Sequence, residues 1–356
     1  QRLAGADVPP SLLEIPTGLG KTEAVAAAWL WGLGGEGWTD TPRRLVWCLP
    51  MRTLVEQTRD RVVGILQRGA AHLGIDVHEV HLLMGGESAG DWSVDPEHPK
   101  VLVGTQDMLL SRALNRGYGA SRYRWPTEFG LLHSDVLWVY DEVQLMGAGV
   151  ATSAQLEAFR RNHNAGGRAG SLWMSATLDR DWLATVDLKE SIADMRVLTI
   201  SEEDRAFEQA AKRLSAKKAV NQWVVAPLTE SNRGLTIAGM TTLKSAAAKF
   251  LKAHRKGTLS ILIANTVGRA HLYHQAVVAG NPKPEVLLLH SRFRAADRAR
   301  LAQRLLEPVP AAGRILIATQ VVEAGVDLDA SLLVSEVAPW SSLVQRLGRL
   351  NRSGEV

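Results

Sequence analysis

Apolar positions in this chain fall into two alternating patterns. Short apolar runs bounded by polar or Gly-rich stretches occupy 12–15, 44–49, 101–104, 136–140 and 172–174. Between them, helical periodicity covers 21–31, 53–67 and 152–161. Short strands alternating with helices predict an α/β architecture with parallel sheets. Most of the runs end directly on polar or Gly-rich segments, where such folds place ligands at the carboxyl ends of strands. The rhythm lapses after about 187, where charged stretches such as Ser201-Glu202-Glu203-Asp204-Arg205 and Lys217-Lys218 take over. It resumes with a helix over 242–254, strand 260–264, helix 268–278, strand 285–289, helix 295–306 and strands 314–318 and 332–336. The expectation is two tandem domains over 1–190 and 231–356, each a mostly parallel sheet flanked by helices, with a connection over 191–230. No tandem repeat, heptad seam or low-complexity tract is present.

Composition narrows the setting. A chain of 356 residues is long enough to bury two cores. Its 46% hydrophobic and 22% charged shares are those of an ordinary globular protein. No apolar run approaches the ~20 residues of a membrane span, and the start, Gln1-Arg2-Leu3-Ala4, carries no signal segment. A chain that begins without methionine reads as a fragment or a processed product. The single cysteine, Cys48, sits in an apolar run, which excludes an intrachain disulfide and points to a structural thiol in a reducing cytoplasm. The ten histidines are scattered; His78 and His81 come nearest to ligand spacing, and without neighbouring cysteines or carboxylates no zinc site is expected. The net charge of +4 admits an anionic partner. Basic residues recur over 52–68, 112–124 and 292–304, a distribution suited to a groove that tracks a phosphate backbone. Trp47, Trp138 and Trp173 lie in apolar runs and are expected in the core, whereas Trp125 and Trp340 in Pro-flanked loops are candidates for contacts.

Three segments carry chemistry. Thr17-Gly18-Leu19-Gly20-Lys21-Thr22 follows an expected strand and opens an expected helix. Its glycines let backbone N–H groups approach phosphates, Lys21 reaches the β- and γ-phosphates, and the Thr22 hydroxyl suits Mg²⁺. Ile15 stands where the strict eight-residue pattern has its first glycine, and a plain Gly-Lys-Thr turn is the alternative. Apolar Val136-Leu137-Trp138-Val139-Tyr140 delivers Asp141 and Glu142 to a strand end, suiting Asp141 to Mg²⁺ and Glu142 to the attacking water, unless the pair only caps the next helix. Gln345-Arg346-Leu347-Gly348-Arg349-Leu350-Asn351-Arg352 suits a turn into a helix that presents guanidinium groups in one direction, and its alternative is a solvated basic face. A phosphate cradle near one end and an arginine clamp near the other suggest ATP held between two lobes.

In order and spacing these segments resemble the superfamily 2 DExD/H helicases over nearly the whole chain. Thr17 to Thr22 is similar to motif I, Asp141 to Gln144 to motif II, Ser175-Ala176-Thr177 to motif III, Thr319 to Asp327 to motif V and Gln345 to Arg352 to motif VI. A narrower resemblance rests on Pro16 to Glu23, Leu49 to Thr58, Asn265-Thr266-Val267, Leu289-His290-Ser291-Arg292-Phe293 and Ser342 to Arg352. These resemble the CRISPR-associated helicase–nuclease of type I interference. The resemblance implies two RecA-like domains with an ATP cleft between them, ATP and Mg²⁺ as cofactors, and 3′ to 5′ translocation on single-stranded DNA. It further implies recruitment by a guide-RNA surveillance complex and an HD nuclease in cis or in trans.

By the same resemblance, Lys21, Asp141, Glu142, Gln345, Arg349 and Arg352 are the catalytic candidates, the last two as arginine fingers. Thr17, Gly18, Gly20, Lys21, Thr22, Gly325, Asp327 and Arg346 would bind the nucleotide, with Thr22 and Asp141 on the metal. Arg52, Thr53, Gly86, Thr105, Asn265, Thr266 and Thr319 would line the DNA path, and Gln144, Ser175 and Thr177 would couple the two. For each path residue the plain alternative is a strand-end residue satisfying its own turn. Gln144 stands where a histidine is common, no His-Asp dipeptide occurs, and Gln1 is a weak candidate for reading adenine. Two rival readings stay open: another superfamily 2 DNA or RNA helicase, or a catalytically idle nucleic-acid clamp.

Overall fold

The computed structural model describes residues 3, 5, 6, 9–16, 18–35, 37–75, 80–86, 90–163, 167–177, 179–223, 230–231, 234–323 and 328–354. The chain divides into two compact units, Gln1–Asp204 and Arg205–Val356.

The first unit runs β1 (Leu12–Glu14), α1 (Lys21–Leu33), β2 (Arg44–Leu49), α2 (Arg52–Leu73), β3 (Val80–Leu83), β4 (Lys100–Thr105), α3 (Gln106–Ala113), α4 (Trp125–His133), β5 (Val136–Asp141), α5 (Ala148–Asn162), β6 (Ala169–Ser175) and β7 (Val197–Thr199). Its seven strands lie in the order β3-β4-β2-β5-β6-β1-β7, every pair parallel. Alternate residues of each strand feed opposite faces. Leu45, Trp47 and Leu49 of β2 pack with Val25 and Trp29 of α1 and Val55 and Val62 of α2. Val46 and Cys48 pack on the other face with Leu109, Leu132 and Leu156 of α3, α4 and α5. Both faces are therefore dry, which explains the near-continuous apolar runs. Cys48 is fully buried, and burial pushes its thiol well above the usual range, as suits a structural cysteine.

An aromatic stack braces the second face. Tyr140 lies between Trp138 and Trp173, with centroids 5.4 and 5.6 Å away. The two indoles are satisfied by the carbonyl of Leu132 at 2.9 Å and the hydroxyl of Ser153 at 2.9 Å. Trp138→Ala opens this stack at a position with no solvent exposure. It is expected to cost about 3–5 kcal/mol, seen as a lower urea midpoint of the first unit's transition.

The boundary between the units falls within α6 (Glu202–Ala206), which follows β7, and the second unit continues with α7 (Glu208–Ser215). Then come β8 (Glu230–Ser231), β9 (Gly234–Leu235), α8 (Ile237–Ala253), β10 (Leu259–Ile263), α9 (Val267–Ala279), β11 (Glu285–Leu289), α10 (Ala295–Leu306), β12 (Arg314–Ala318), β13 (Leu332–Ser335) and α11 (Trp340–Leu347). The main sheet orders β11-β12-β10-β13, again all parallel, and has a core on each face.

The expected connection over 191–230 begins within structure. Val197–Thr199 is β7, an edge strand paired parallel with β1, Leu12 opposite Val197. Three residues flanked by charge carry too little period to stand out as a strand. The edge strand β3 and helices α3 and α4 were likewise not expected. Among the described residues, no helix is long and apolar enough to cross a membrane.

Candidate active site

In the first unit β6 lies between β1 and β5, and Glu14 pairs with Ser175 and Asp141 with Met174. The segments that follow β1, β5 and β6 therefore leave the same sheet edge side by side, the edge where parallel α/β folds bind ligands. After β1 the chain turns through Gly18 at φ +85° and Gly20 at φ +77°, left-handed values that glycine adopts without strain. Gly20 then caps α1, whose first residues are Lys21 and Thr22. The cap has no side-chain acceptor, so the first amides of this 13-residue helix face the loop, as anion binding requires.

Lys21 and Thr22 are both only 7% exposed. The ammonium of Lys21 lies 3.1 Å from Glu142 Oε1 and 3.7 Å from Asp141 Oδ1. Asp141 ends β5 and is 4% exposed. Its Oδ2 accepts from the Trp47 indole at 3.3 Å and its Oδ1 from the Glu142 amide at 2.8 Å. Glu142 is held at φ +52°, a conformation that costs a non-glycine residue about 1–2 kcal/mol and is kept here at a functional edge. Burial works against the charge on Lys21, but the Glu142 and Asp141 carboxylates outweigh it and hold its pKa above the ordinary lysine value. Burial pushes Asp141 upward, against the pull of Lys21 and with added repulsion from Glu142.

A hydrogen-bond chain leads away from this cluster. Gln144 donates to Glu142 Oε2 at 2.5 Å, and its own oxygen accepts from the Ser175 hydroxyl at 2.7 Å. Ser175 also accepts from the Thr177 amide at 3.0 Å. The glutamine that replaces the common histidine thus bridges the carboxylates to the end of β6, and Thr177 takes part through its backbone.

The Thr22 hydroxyl and the Asp141 carboxylate are hard oxygen donors of the kind Mg²⁺ takes, an ion that keeps several waters and draws its other ligands from substrate phosphates. One ammonium faces two crowded carboxylates, Asp141 and Glu142, so the acids outnumber the cation and the donor set suits a further positive charge. Among the described residues, no group of three or more His, Cys, Asp or Glu could hold a metal ion by itself.

The arginine cluster departs from expectation. Helix α11 ends at Leu347, so Gly348, Arg349 and Arg352 follow a helix instead of entering one. The guanidinium groups of Arg346 and Arg349 both turn onto the protein at Val322 and Glu323. Arg346 is 1% exposed. Its Nε and Nη2 each lie 2.7 Å from Glu323 Oε1, and Nη2 also donates to Asn265 Oδ1 at 3.1 Å. Its Nη1 donates to Ser335 Oγ at 2.7 Å and the Glu336 carbonyl at 3.1 Å. The guanidinium makes four hydrogen bonds to protein acceptors and an ion pair with Glu323, so Arg346, expected on the nucleotide, is held here as a strut by the protein. Arg349 donates to the carbonyls of Val322 at 3.0 Å and Glu323 at 2.8 Å. The Arg352 amide donates to Asp329 at 2.7 Å, and Gln345 is 5% exposed.

The expected path residues divide. Arg52 is exposed and Thr53 half-buried at the start of α2, and a Cβ on Gly86 would stand 3.7 Å from the Arg52 guanidinium. Gly86 itself has φ +86°. Thr105 and Thr319 are buried at 8% and 5% exposure. Thr266 caps α9 through its hydroxyl, and Asn265 bonds Val337 and Arg346, so both satisfy local structure. Of the basic stretch 112–124, Arg112 is buried on Glu128 at 3.0 Å and Arg124 pairs with Asp91 at 3.1 Å. In the stretch 292–304, Arg294 pairs with Asp297 and Arg304 with Glu285, each at 2.7 Å. Trp47, Trp138 and Trp173 are core, while Trp340 is 73% exposed. Thr17, Gly325 and Asp327, like Gln1 and His78, lie outside the described residues. Two contributors went unread, Trp47 as a donor and Glu323 as an anchor. A buried indole needs an acceptor, and an acid directly after Val321-Val322 needs a cation; both signals were available.

Comparison with known proteins places these features in a family. Residues 3–186, more than half of the chain, match the family described as DEAD/DEAH box helicase. The chain belongs to the DEAD/DEAH box helicase family. Residues 256–355 match a second family, CRISPR-associated nuclease/helicase Cas3, C-terminal. The CRISPR-associated endonuclease/helicase Cas3 of Escherichia coli is 34% identical over 110 residues, covering 29% of this chain and 12% of that protein. The match thus spans a small part of a much longer relative. Among solved structures, the T. fusca Cas3-ATP complex superposes with TM-score 0.58 at 22% identity, covering 96% of this chain and 42% of that one. S. cerevisiae Dbp5 bound to RNA and ADP BeF3 gives TM-score 0.59 at 18% identity, covering 98% and 78%. At these identities the structures show the fold of the family: two tandem RecA-like α/β domains.

Proposed function

We propose that this chain is the ATP-driven motor of a CRISPR-associated helicase–nuclease, moving 3′ to 5′ along single-stranded DNA in the cytoplasm. It would be recruited by a guide-RNA surveillance complex and work with an HD nuclease in cis or in trans. The observation that carries the reading is the buried Lys21–Asp141–Glu142 cluster, at the mouth of a glycine loop, in a chain whose residues 256–355 match the Cas3 C-terminal family.

Chemically, the Glu142 and Asp141 carboxylates hold the place of the substrate's negative charge beside Lys21. When ATP enters, its phosphate oxygens compete for the ammonium, and the α1 amides receive the phosphates. As Lys21 turns to the phosphates, Glu142 Oε1 accepts from water, while Gln144 keeps Oε2 fixed. The water oxygen attacks the γ-phosphorus, its proton passes to Glu142, and the bond from that phosphorus to the bridging oxygen breaks. The electron pair stays on ADP, and inorganic phosphate leaves. Thr22 and Asp141 would hold Mg²⁺, which supplies charge neutralisation at the phosphates when bound. Arg349 and Arg352 are assigned to the charge that develops on the γ-phosphate. The chain Glu142–Gln144–Ser175–Thr177 would relay the state of the site to the nucleic-acid surface, where Arg52, Thr53 and Gly86 are the contacts best placed to meet phosphate.

ATP turnover is expected to rise with oligo-dT more than with oligo-U of equal length. DNA affinity should fall steeply with salt, as phosphate contacts dictate. Dominant stimulation by RNA would move the chain to another branch of superfamily 2. Nucleic-acid binding without ATP turnover would leave an idle clamp.

A further inference from the structure

We infer that Glu323 and Arg346 form a positioning pair that holds Arg349 in place for catalysis, an inference that rests on the proposed role of Arg349. Both arginines grip the same residue. Arg346 takes the Glu323 carboxylate at 2.7 Å, while Arg349 takes the Glu323 carbonyl at 2.8 Å and the Val322 carbonyl at 3.0 Å. Val322 closes the 3₁₀ turn Gln320–Val322 that follows β12, and Val322 and Glu323 have 0% and 2% exposure. Arg346 lies in the last turn of α11, and Arg349 lies just past its end, after Gly348. The two elements are thus pinned at one residue from both its side chain and its main chain.

The arrangement extends beyond the pair. The remaining N–H groups of Arg346 reach Asn265 after β10 and Ser335 and Glu336 at the end of β13. One buried guanidinium therefore ties three strand ends to the helix that leads to Arg349. Long arginine side chains are costly to immobilise, and docking on two carbonyls that are themselves held removes that cost before substrate arrives. Glu323 and Arg346 touch neither nucleotide nor metal in this assignment. They act through Arg349.

The test separates positioning from mere stability. Removing one partner leaves a buried charge and risks the fold, whereas replacing both by apolar residues of similar volume is often neutral or stabilising. The double variant Glu323→Leu/Arg346→Met is therefore compared with wild type in the full chain, with circular dichroism and thermal melting as controls on the fold. The expected result is a folded protein whose kcat for ATP falls about 10²-fold while KM is little changed, as displacement of a catalytic group by about 1 Å would give. In an Arg349→Ala background the same double change should cost almost nothing more, because the group it positions is gone. A double variant with wild-type kcat, or one whose loss multiplies with that of Arg349→Ala, overturns the inference. Arg349→Ala with wild-type kcat overturns the assignment of Arg349 and the inference with it. A slow Arg349→Ala beside a fast double variant overturns the positioning pair alone. If the double variant does not fold, the conservative Arg346→Lys decides: it keeps the charge but loses the fork, and should show the same split between kcat and KM.

Discussion

Lys21→Ala is expected to remove ATP turnover, lowering kcat/KM by roughly 10²–10³-fold or more, the scale for deleting one donor aimed at developing charge. The effect should reach stability as well. Lys21 is the cation within 3.7 Å of two carboxylates, one of them only 4% exposed. Its folded-state pKa is raised, so its contribution to stability is complete below 10.5 and is lost only as pH rises through the higher folded value. Asp141 also has a raised folded-state pKa, through burial first and Glu142 second, with Lys21 pulling the other way. A carboxyl of this kind favours the fold while protonated, and that favour disappears as pH rises through its folded pKa. Deleting Lys21 moves that pKa further up. The variant should therefore be close to wild type in stability at the acid end and fall behind as pH rises above the ordinary aspartate value of 3.8. Near neutral pH the deficit should be about 1–3 kcal/mol in urea unfolding. An equal deficit at every pH would mean that the cluster does not bury its charge as described.

Glu142→Gln should separate binding from chemistry. The side chain keeps its volume, and Gln144 can turn its amide over, because the Ser175 hydroxyl on its far side can accept as well as donate. What is lost is the carboxylate that takes the proton from water. A general base contributes typically 10²–10⁴-fold, so kcat should drop by about that factor while ATP affinity is kept or improved. Improvement would follow because Lys21 loses its closest carboxylate and is freer for phosphate. Equilibrium binding of a fluorescent ATP analogue beside steady-state turnover would show the split. Loss of both together would place Glu142 in binding, not in base catalysis.

Much of the first unit was legible in sequence because parallel strands buried on both faces announce themselves as unbroken apolar runs. The run 44–49 became β2, and the run 136–140 became β5 with Asp141 added at its end. The edge strands β3 and β7 were not legible, since an edge strand is short, half-wet and interrupted by polar residues such as His81. That Lys21, Asp141 and Glu142 lie at strand ends followed from local sequence; the ion pairs among them did not. The wiring of the arginine cluster did not follow. Whether an arginine faces a phosphate or a carboxylate depends on which acid the fold brings beside it. Glu323, 23 residues before Arg346, becomes its partner only when the turn after β12 and α11 meet. Basic stretches misled for the same reason. Arg112, in a run that read as a phosphate groove, is buried on Glu128 at the start of α4.

The most direct test of the motor assignment is single-turnover stopped flow on oligo-dT of increasing length carrying a fluorophore at the 5′ end. With ATP and Mg²⁺, the time to the fluorescence change should grow in proportion to length. The dependence should vanish when the fluorophore is moved to the 3′ end, and it should be absent in Lys21→Ala. A change whose timing does not depend on length, or one that persists in Lys21→Ala, would contradict an ATP-driven motor on single-stranded DNA.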